Sequence, residues 1–239
     1  MPTMRLDKFF SSQEILSRKE VKAEVKKGTI KVNDTIPSSP EYKMDTDKDI
    51  VTYKGKEIPY KPYVYIMLNK PQGVVSATDD KINKTVLDLV PKELFRSDLF
   101  PAGRLDKDTV GFVLITNDGD FAHNILSPKN HIEKKYLVRL DKSITEEEIQ
   151  QVEQGITLAD GTVCRPASIQ VIEAGETPLL EIVISEGKYH QIKRMFGVVN
   201  CGVTYLKRTQ MGGLRLDEDL PEGICREIMH NELHKILLK

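Results

Sequence analysis

The sequence predicts an α+β protein: a small N-terminal domain followed by a larger one with a mixed, mostly antiparallel sheet. Three observations lead there. Strand-like apolar runs outnumber helical patterns and do not alternate with them in βαβ order. Pro59 and Pro62 interrupt the chain where its pattern changes, which marks a linker. The chain has 239 residues, 39% of them hydrophobic and 30% charged, enough for a core without disulfides or metal.

Each element has a local cause. Residues 5–10 form a short helix. Ser17 is an N-cap with Glu20 three residues on, the capping-box spacing. The helix that follows carries Val21 and Val25 on one face and stops at Gly28. Residues 29–33 alternate as a strand and run into an Asn-Asp turn. A second strand covers 49–53, with a turn at Lys54-Gly55-Lys56. The expected organisation is a first domain over 1–58, a linker over 59–62 and a second domain over 63–239. In the second, strands are expected at 63–68, 110–116, 136–140, 167–172 and 179–184, and helices at 119–126, 145–153 and 190–199. No repeat or low-complexity tract is visible.

The formal net charge is −1, so any polyanion partner must be met by local charge. Arg18, Lys19, Lys22, Lys26, Lys27 and Lys31 face only Glu20 and Glu24 across residues 18–31, a local excess of four positive charges. Lysine-rich helices are often merely solvated. Three scattered cysteines without a CxxC pair suggest a reducing compartment. No signal-peptide pattern opens the chain, and no stretch approaches the roughly 20 apolar residues of a membrane span. The expectation is a cytoplasmic protein without membrane contact, monomeric because no apolar heptad appears.

Residues 101–119 stand out. A dense polar loop, Gly103-Arg104-Leu105-Asp106-Lys107-Asp108-Thr109, precedes an apolar strand. Gly103 and Gly111 permit unusual backbone angles or close approach. An acid, bases and a hydroxyl on a loop beside a rigid strand is a common site arrangement. Taken alone, an aspartate here is more often an Asx-turn residue.

Two resemblances change that balance. Residues 4–56 resemble an S4 RNA-binding domain through Arg5-Leu6-Asp7-Lys8, Ser17-Arg18-Lys19-Glu20-Val21 and Lys27-Gly28-Thr29-Ile30-Lys31-Val32-Asn33. The resemblance implies that Arg18, Lys19, Lys22, Lys26 and Lys27 meet RNA phosphates, with strongly salt-dependent binding. Gly-Arg-Leu-Asp-x-x-Thr-x-Gly at 103–111, followed by Thr-Asn-Asp-Gly, resembles the signature of pseudouridine synthases of the RsuA and RluA types. Asn69-Lys70-Pro71-Gln72-Gly73-Val74-Val75-Ser76 is similar to that family's first motif, mainly structural. Lys135-Tyr136 and Glu186-Gly187-Lys188-Tyr189-His190-Gln191-Ile192-Lys193-Arg194-Met195-Phe196 match two further motifs.

The resemblance implies isomerisation of a uridine: the C1′–N1 bond breaks, the uracil turns, and C1′ joins C5, with no cofactor and no metal. The target base must leave its stack. Asp106 falls on the essential aspartate, as a nucleophile at C1′ or a base at C2′. Tyr136 falls on the tyrosine that meets the base, and Lys193 on the cation that keeps the aspartate ionised. Ile192 is the apolar wall, Arg104 holds the flipped conformation, and Arg194 is expected against RNA. His190 reads as a polar helix-start residue. The Tyr-His-Gln-Ile-Lys-Arg-Met form resembles the small-subunit, RsuA-type branch. That implies one uridine in 16S rRNA, a uridine-516-type site, with the assembling small subunit as partner. The alternatives are a 23S rRNA target, a non-catalytic S4-type RNA binder, a structural ribosomal protein, which the net charge opposes, and a hydrolase pairing Asp106 with Asp108.

Overall fold

The computed structural model describes residues 3–238. The chain forms two compact units. The first runs to Val64 and includes Phe95–Asp98; the second comprises Tyr65–Leu94 and the chain from Leu99 on.

In the first unit β1 (Thr3–Arg5) leads into α1 (Leu6–Ser12), followed by α2 (Arg18–Lys26), β2 (Ile30–Val32), β3 (Lys43–Asp45), β4 (Val51–Tyr53) and β5 (Lys56–Glu57). The expected capping box closes at both ends: the Glu20 amide donates to Ser17 Oγ at 3.3 Å, and the Ser17 amide donates to Glu20 Oε2 at 2.7 Å. Leu6, Phe9, Phe10, Val21, Val25 and Ile30 form the core. The segment expected as a linker belongs to this unit. Ile58 and Tyr60 pack on its core, and the Lys61 amide donates to Gln13 Oε1 at 2.8 Å. The division falls at Val64/Tyr65.

The second unit is built on nine strands: β6 (Tyr65–Lys70), β7 (Phe100–Ala102), β8 (Val110–Thr116), β9 (Lys134–Leu140), β10 (Ser168–Glu173), β11 (Leu179–Ile184), β12 (Val203–Met211), β13 (Leu214–Arg215) and β14 (Cys225–Glu227). Their order is β10-β11-β9-β12-β8-β6-β14, with β7 beside β8 and β13 beside β12. The β12–β8 pairing is parallel and the other named pairings are antiparallel, the mixed, mostly antiparallel sheet expected. The helices are α3 (Gly119–Leu126), α4 (Glu146–Glu153), α5 (Gln191–Val198) and the short α6 (His230–Leu233). Met67, Phe112 and Leu114 from the sheet pack with Ala122 and Ile125 of α3.

Three departures from expectation have local causes. β6 extends past its apolar run because Asn69 and Lys70 are buried and bonded at its end: Asn69 Nδ2 donates to the Leu220 carbonyl at 2.8 Å. β12 was not foreseen, because Lys207, Arg208, Thr209 and Gln210 break any apolar run. His190 lies outside its helix in the left-handed region, at φ 48°. Gly111 shows why the site strand begins with glycine: at φ +97°, an added Cβ would stand 2.3 Å from the Arg208 carbonyl oxygen. The Met211-Gly212-Gly213-Leu214 turn joins β12 to β13 against the C-terminal segment, where a Cβ on Gly212 would meet the Ile236 carbonyl at 1.8 Å.

Candidate active site

Asp106 stands on the loop between β7 and β8, and three residues from the 69–76 segment hold that loop by its backbone. Lys70, fully buried, donates from Nζ to the carbonyls of Thr109 at 2.7 Å, Asp106 at 3.1 Å, Pro71 at 3.2 Å and Lys107 at 3.3 Å. Burial draws its pKa down to about 8, opposed by the nearby Asp108 and Asp106 carboxylates. Ser76 Oγ both donates to the Leu105 carbonyl and accepts from the Leu105 amide, each at 3.1 Å. The Gly73 amide donates to the Lys107 carbonyl at 2.8 Å. The Leu105 amide and the carbonyls of Leu105, Asp106 and Lys107 are therefore tied to the 70–76 segment.

The Asp106 carboxylate is partly open, its side chain 28% exposed. His190 Nε2 lies 3.4 Å from Oδ1 and Lys193 Nζ 3.5 Å from Oδ2. Lys193 is brought beside Asp106 as expected, but its shorter contact is with Asp108 Oδ1, at 2.5 Å. That hydrogen bond holds the Asp108 carboxyl below its ordinary range. Asp106 is thus flanked by two nitrogen groups, one of them shared with a second acid.

A cavity opens from this carboxylate. Its walls include Arg104, Asp106, Tyr136, Ile184, His190, Ile192 and Leu206. Tyr136, 7% exposed, comes from β9, whose even-numbered residues face inward. The neighbouring Lys135 faces the other side of the sheet and pairs with Glu181 at 2.7 Å. Arg104 is exposed at the mouth. Ile192, buried, lines the cavity as well. Arg194 does not join the cavity wall: it pairs with Asp160 at 2.6 Å and pulls that carboxyl to about 2.

The turn into α5 is held by Glu186, which accepts from the Arg165 amide at 3.0 Å and from Gln191 Nε2 at 2.7 Å. Lys188 Nζ lies 3.0 Å from its Oε2. Burial pushes the Glu186 pKa up, and these donors together outweigh it and hold the group ionised. The left-handed His190 that results carries the ring to Asp106, where it stacks on Tyr189 with centroids 3.8 Å apart. Sequence reasoning missed His190 as a neighbour of the carboxylate. It also missed Lys134 and Arg208, which line an adjoining cavity that shares Asp106, Tyr136 and His190 with the first. The signal for Lys134 was present in the two-residue spacing to Tyr136, which puts both on one face. In the first unit, Arg18, Lys19, Lys22, Lys26 and Lys27 are all exposed on or just after α2, with Lys27 bonded to Glu24 at 2.7 Å. Among the described residues no group of His, Cys, Asp and Glu is placed to hold a metal, and no helix is long and apolar enough to cross a membrane.

A family profile described as RNA pseudouridylate synthase matches residues 64–197. An uncharacterised RNA pseudouridine synthase of Bacillus subtilis (strain 168), YtzG, is 45% identical over 233 residues, covering 97% of each chain. The ribosomal small subunit pseudouridine synthase A of Escherichia coli (strain K12) is 37% identical over 236 residues, 98% of this chain and 100% of that one. A crystal structure of a pseudouridylate synthase superposes with a TM-score of 0.68 at 34% identity, covering 98% of this chain and 99% of the other.

Proposed function

We propose a substrate and residue roles for a chain that belongs to the RNA pseudouridylate synthase family and is an RNA pseudouridine synthase, an isomerase. The substrate in this reading is one uridine of 16S rRNA, a uridine-516-type site, modified while the small subunit assembles. Full-length similarity to a ribosomal small subunit enzyme supports it, as does the Tyr189-to-Met195 segment.

The observation that carries the site is the backbone-locked Asp106 carboxylate at the lip of a cavity walled by Tyr136 and Ile192. With the base flipped into the cavity, Asp106 meets the ribose, at C1′ as nucleophile or at C2′ as base. Tyr136 offers its ring to the uracil and its phenol to the later loss of the C5 proton. Lys193 and His190 set two nitrogen groups beside the carboxylate, where they orient it. Ile192 and Leu206 keep water from the intermediate. Arg104 at the mouth fills the gap that the base leaves. The first unit acts as an S4-like RNA-binding domain, its exposed Arg18, Lys19, Lys22, Lys26 and Lys27 meeting phosphates. No cofactor takes part in this reading.

Carbodiimide and primer-extension mapping of 16S and 23S rRNA, as free transcripts and as partly assembled subunits, tests the substrate. One new stop in 16S rRNA is expected. A stop confined to 23S rRNA would overturn the small-subunit assignment and leave the enzyme class standing.

A further inference from the structure

We propose that Arg208 and Lys134 form a cationic subsite that receives a carbonyl oxygen of the uracil while it is detached from the ribose. The proposal rests on the reading of the Asp106 cavity as the reaction chamber. Both side chains line the adjoining cavity, which shares Asp106 and Tyr136 with that chamber. Arg208 is 3% exposed and Lys134 7%. Arg208 Nε donates to the Phe112 carbonyl at 2.7 Å, but its Nη2 is buried with no partner. Lys134 Nζ donates to the Ile132 carbonyl at 2.6 Å. Among the described residues, neither has a carboxylate within ion-pair distance.

Buried charge is costly unless it is paired. Here two like charges face one cavity; burial and then the Arg208 charge lower the Lys134 pKa to about 8. An arrangement that costs stability in the empty protein points to a guest carrying negative charge or strong acceptors. Arg208 lies opposite Tyr136 in the β12–β9 register, and Lys134 is two residues before Tyr136 on the same face. The guest they meet is therefore the one lying on the Tyr136 ring, the flipped base, rather than a backbone phosphate at the surface.

The chemistry supplies the charge. Breaking C1′–N1 leaves the electron pair on the uracil, an anion delocalised over N1, O2 and O4. This happens whether Asp106 bonds to C1′ or removes the C2′ proton. The C1′–C5 bond then forms, Asp106 is released or the C2′ proton restored, C5 loses its proton and N1 gains one; the product is an isomer of the substrate. In the cleavage step Asp106 becomes a neutral ester at C1′ or a neutral acid, so the negative charge lies on the base. Donors fixed in advance where charge develops stabilise such a state without reorganising. Arg208 and Lys134 are placed for that task.

The test compares Lys134→Met and Arg208→Lys with Asp106→Asn and the wild type, in single-turnover and steady-state assays on a defined RNA. Removing one such donor is expected to lower kcat about 100-fold, with KM for RNA essentially unchanged. Lys134→Met should melt at the same temperature as the wild type or higher, because it removes a desolvated charge: a slower but no less stable enzyme. With a 5-fluorouridine target, followed in a single turnover by cleavage of the C1′–N1 bond because its C5 has no proton to lose, the loss in both variants should be smaller, since that base bears negative charge more readily. Wild-type kcat in both variants, losses confined to KM, equal losses for both bases, or losses that track a lowered melting temperature in both would each overturn the subsite. An active Asp106→Asn would instead overturn the reading on which it rests.

Discussion

The basic residues of the first unit and the buried lysines of the second act by different physics. On and beside α2, Arg18, Lys19, Lys22, Lys26 and Lys27 are exposed. In the proposed contact with RNA they act as a field, adjustable by salt and tolerant of small displacements. Lys70 and Lys134 are buried, and burial brings each down to about 8. Their action is geometric: Lys70 binds four backbone carbonyls around Asp106. Exposed cations locate a polyanion; buried ones locate an atom. Substitutions should therefore affect chemistry in the second unit and affinity in the first.

The largest expected effect on that contrast is at Lys70. Lys70→Met removes the donor shared by the loop carbonyls, and a shift of about 1 Å in a reacting group costs on the order of 100-fold in rate. Single-turnover kinetics should show that loss with RNA affinity nearly constant; a loss in affinity alone would break the contrast. Ser76→Ala removes the two-way bond to Leu105 and should lower kcat about tenfold, the worth of roughly 1.4 kcal/mol for a buried hydrogen-bonding group left unpaired. Neutralising Arg18, Lys19 and Lys22 with glutamine should leave kcat unchanged, weaken RNA binding, and reduce the slope of log affinity against log salt by about 2. An unchanged slope would show that α2 does not meet phosphates.

The smallest effect is on stability against pH. Lys70 has a folded pKa of about 8 against an ordinary 10.5. Between those values the unfolded chain binds more protons than the folded one, so this group makes folding more favourable as pH rises through the window. Below about pH 8 its desolvation cost is fully present. Lys134 adds the same sign over the same window. Melting temperatures of Lys70→Met and Lys134→Met between pH 8 and 10.5 should each rise less steeply than those of the wild type.

Much of this was legible in the sequence because it is written locally. The Ser17–Glu20 capping box and the buried β8 run follow from short-range rules, whereas the reason for glycine at 111 is the Arg208 carbonyl far along the chain. The motif order groups Asp106, Tyr136 and Ile192, which line one cavity, with Lys193, which stands beside Asp106, and a local reading alone could not give that grouping. What stayed hidden depends on partners distant in sequence. Arg194 looks available until Asp160, 34 residues earlier, pairs with it. β12 reads as a polar stretch because its sheet position is set by β9 and β8 rather than by its own pattern. A strand cation normally reads as solvent-facing, which concealed Lys134 and Arg208, and no periodicity signals the left-handed backbone that turns His190 toward Asp106.

The central claim is that Asp106 carries the chemistry. Asp106→Asn keeps the shape of the side chain and the backbone bonds to Lys70 and removes the ionised oxygen. The most direct measurement is pseudouridine formation by this variant in a single turnover on a defined RNA, beside RNA binding under the same conditions. The account predicts a rate at least about 10,000-fold below wild type, on the scale of losing an essential catalytic group, with affinity nearly unchanged. A variant that still forms pseudouridine within about tenfold of the wild-type rate, a difference of only 1.4 kcal/mol in the barrier, would contradict it.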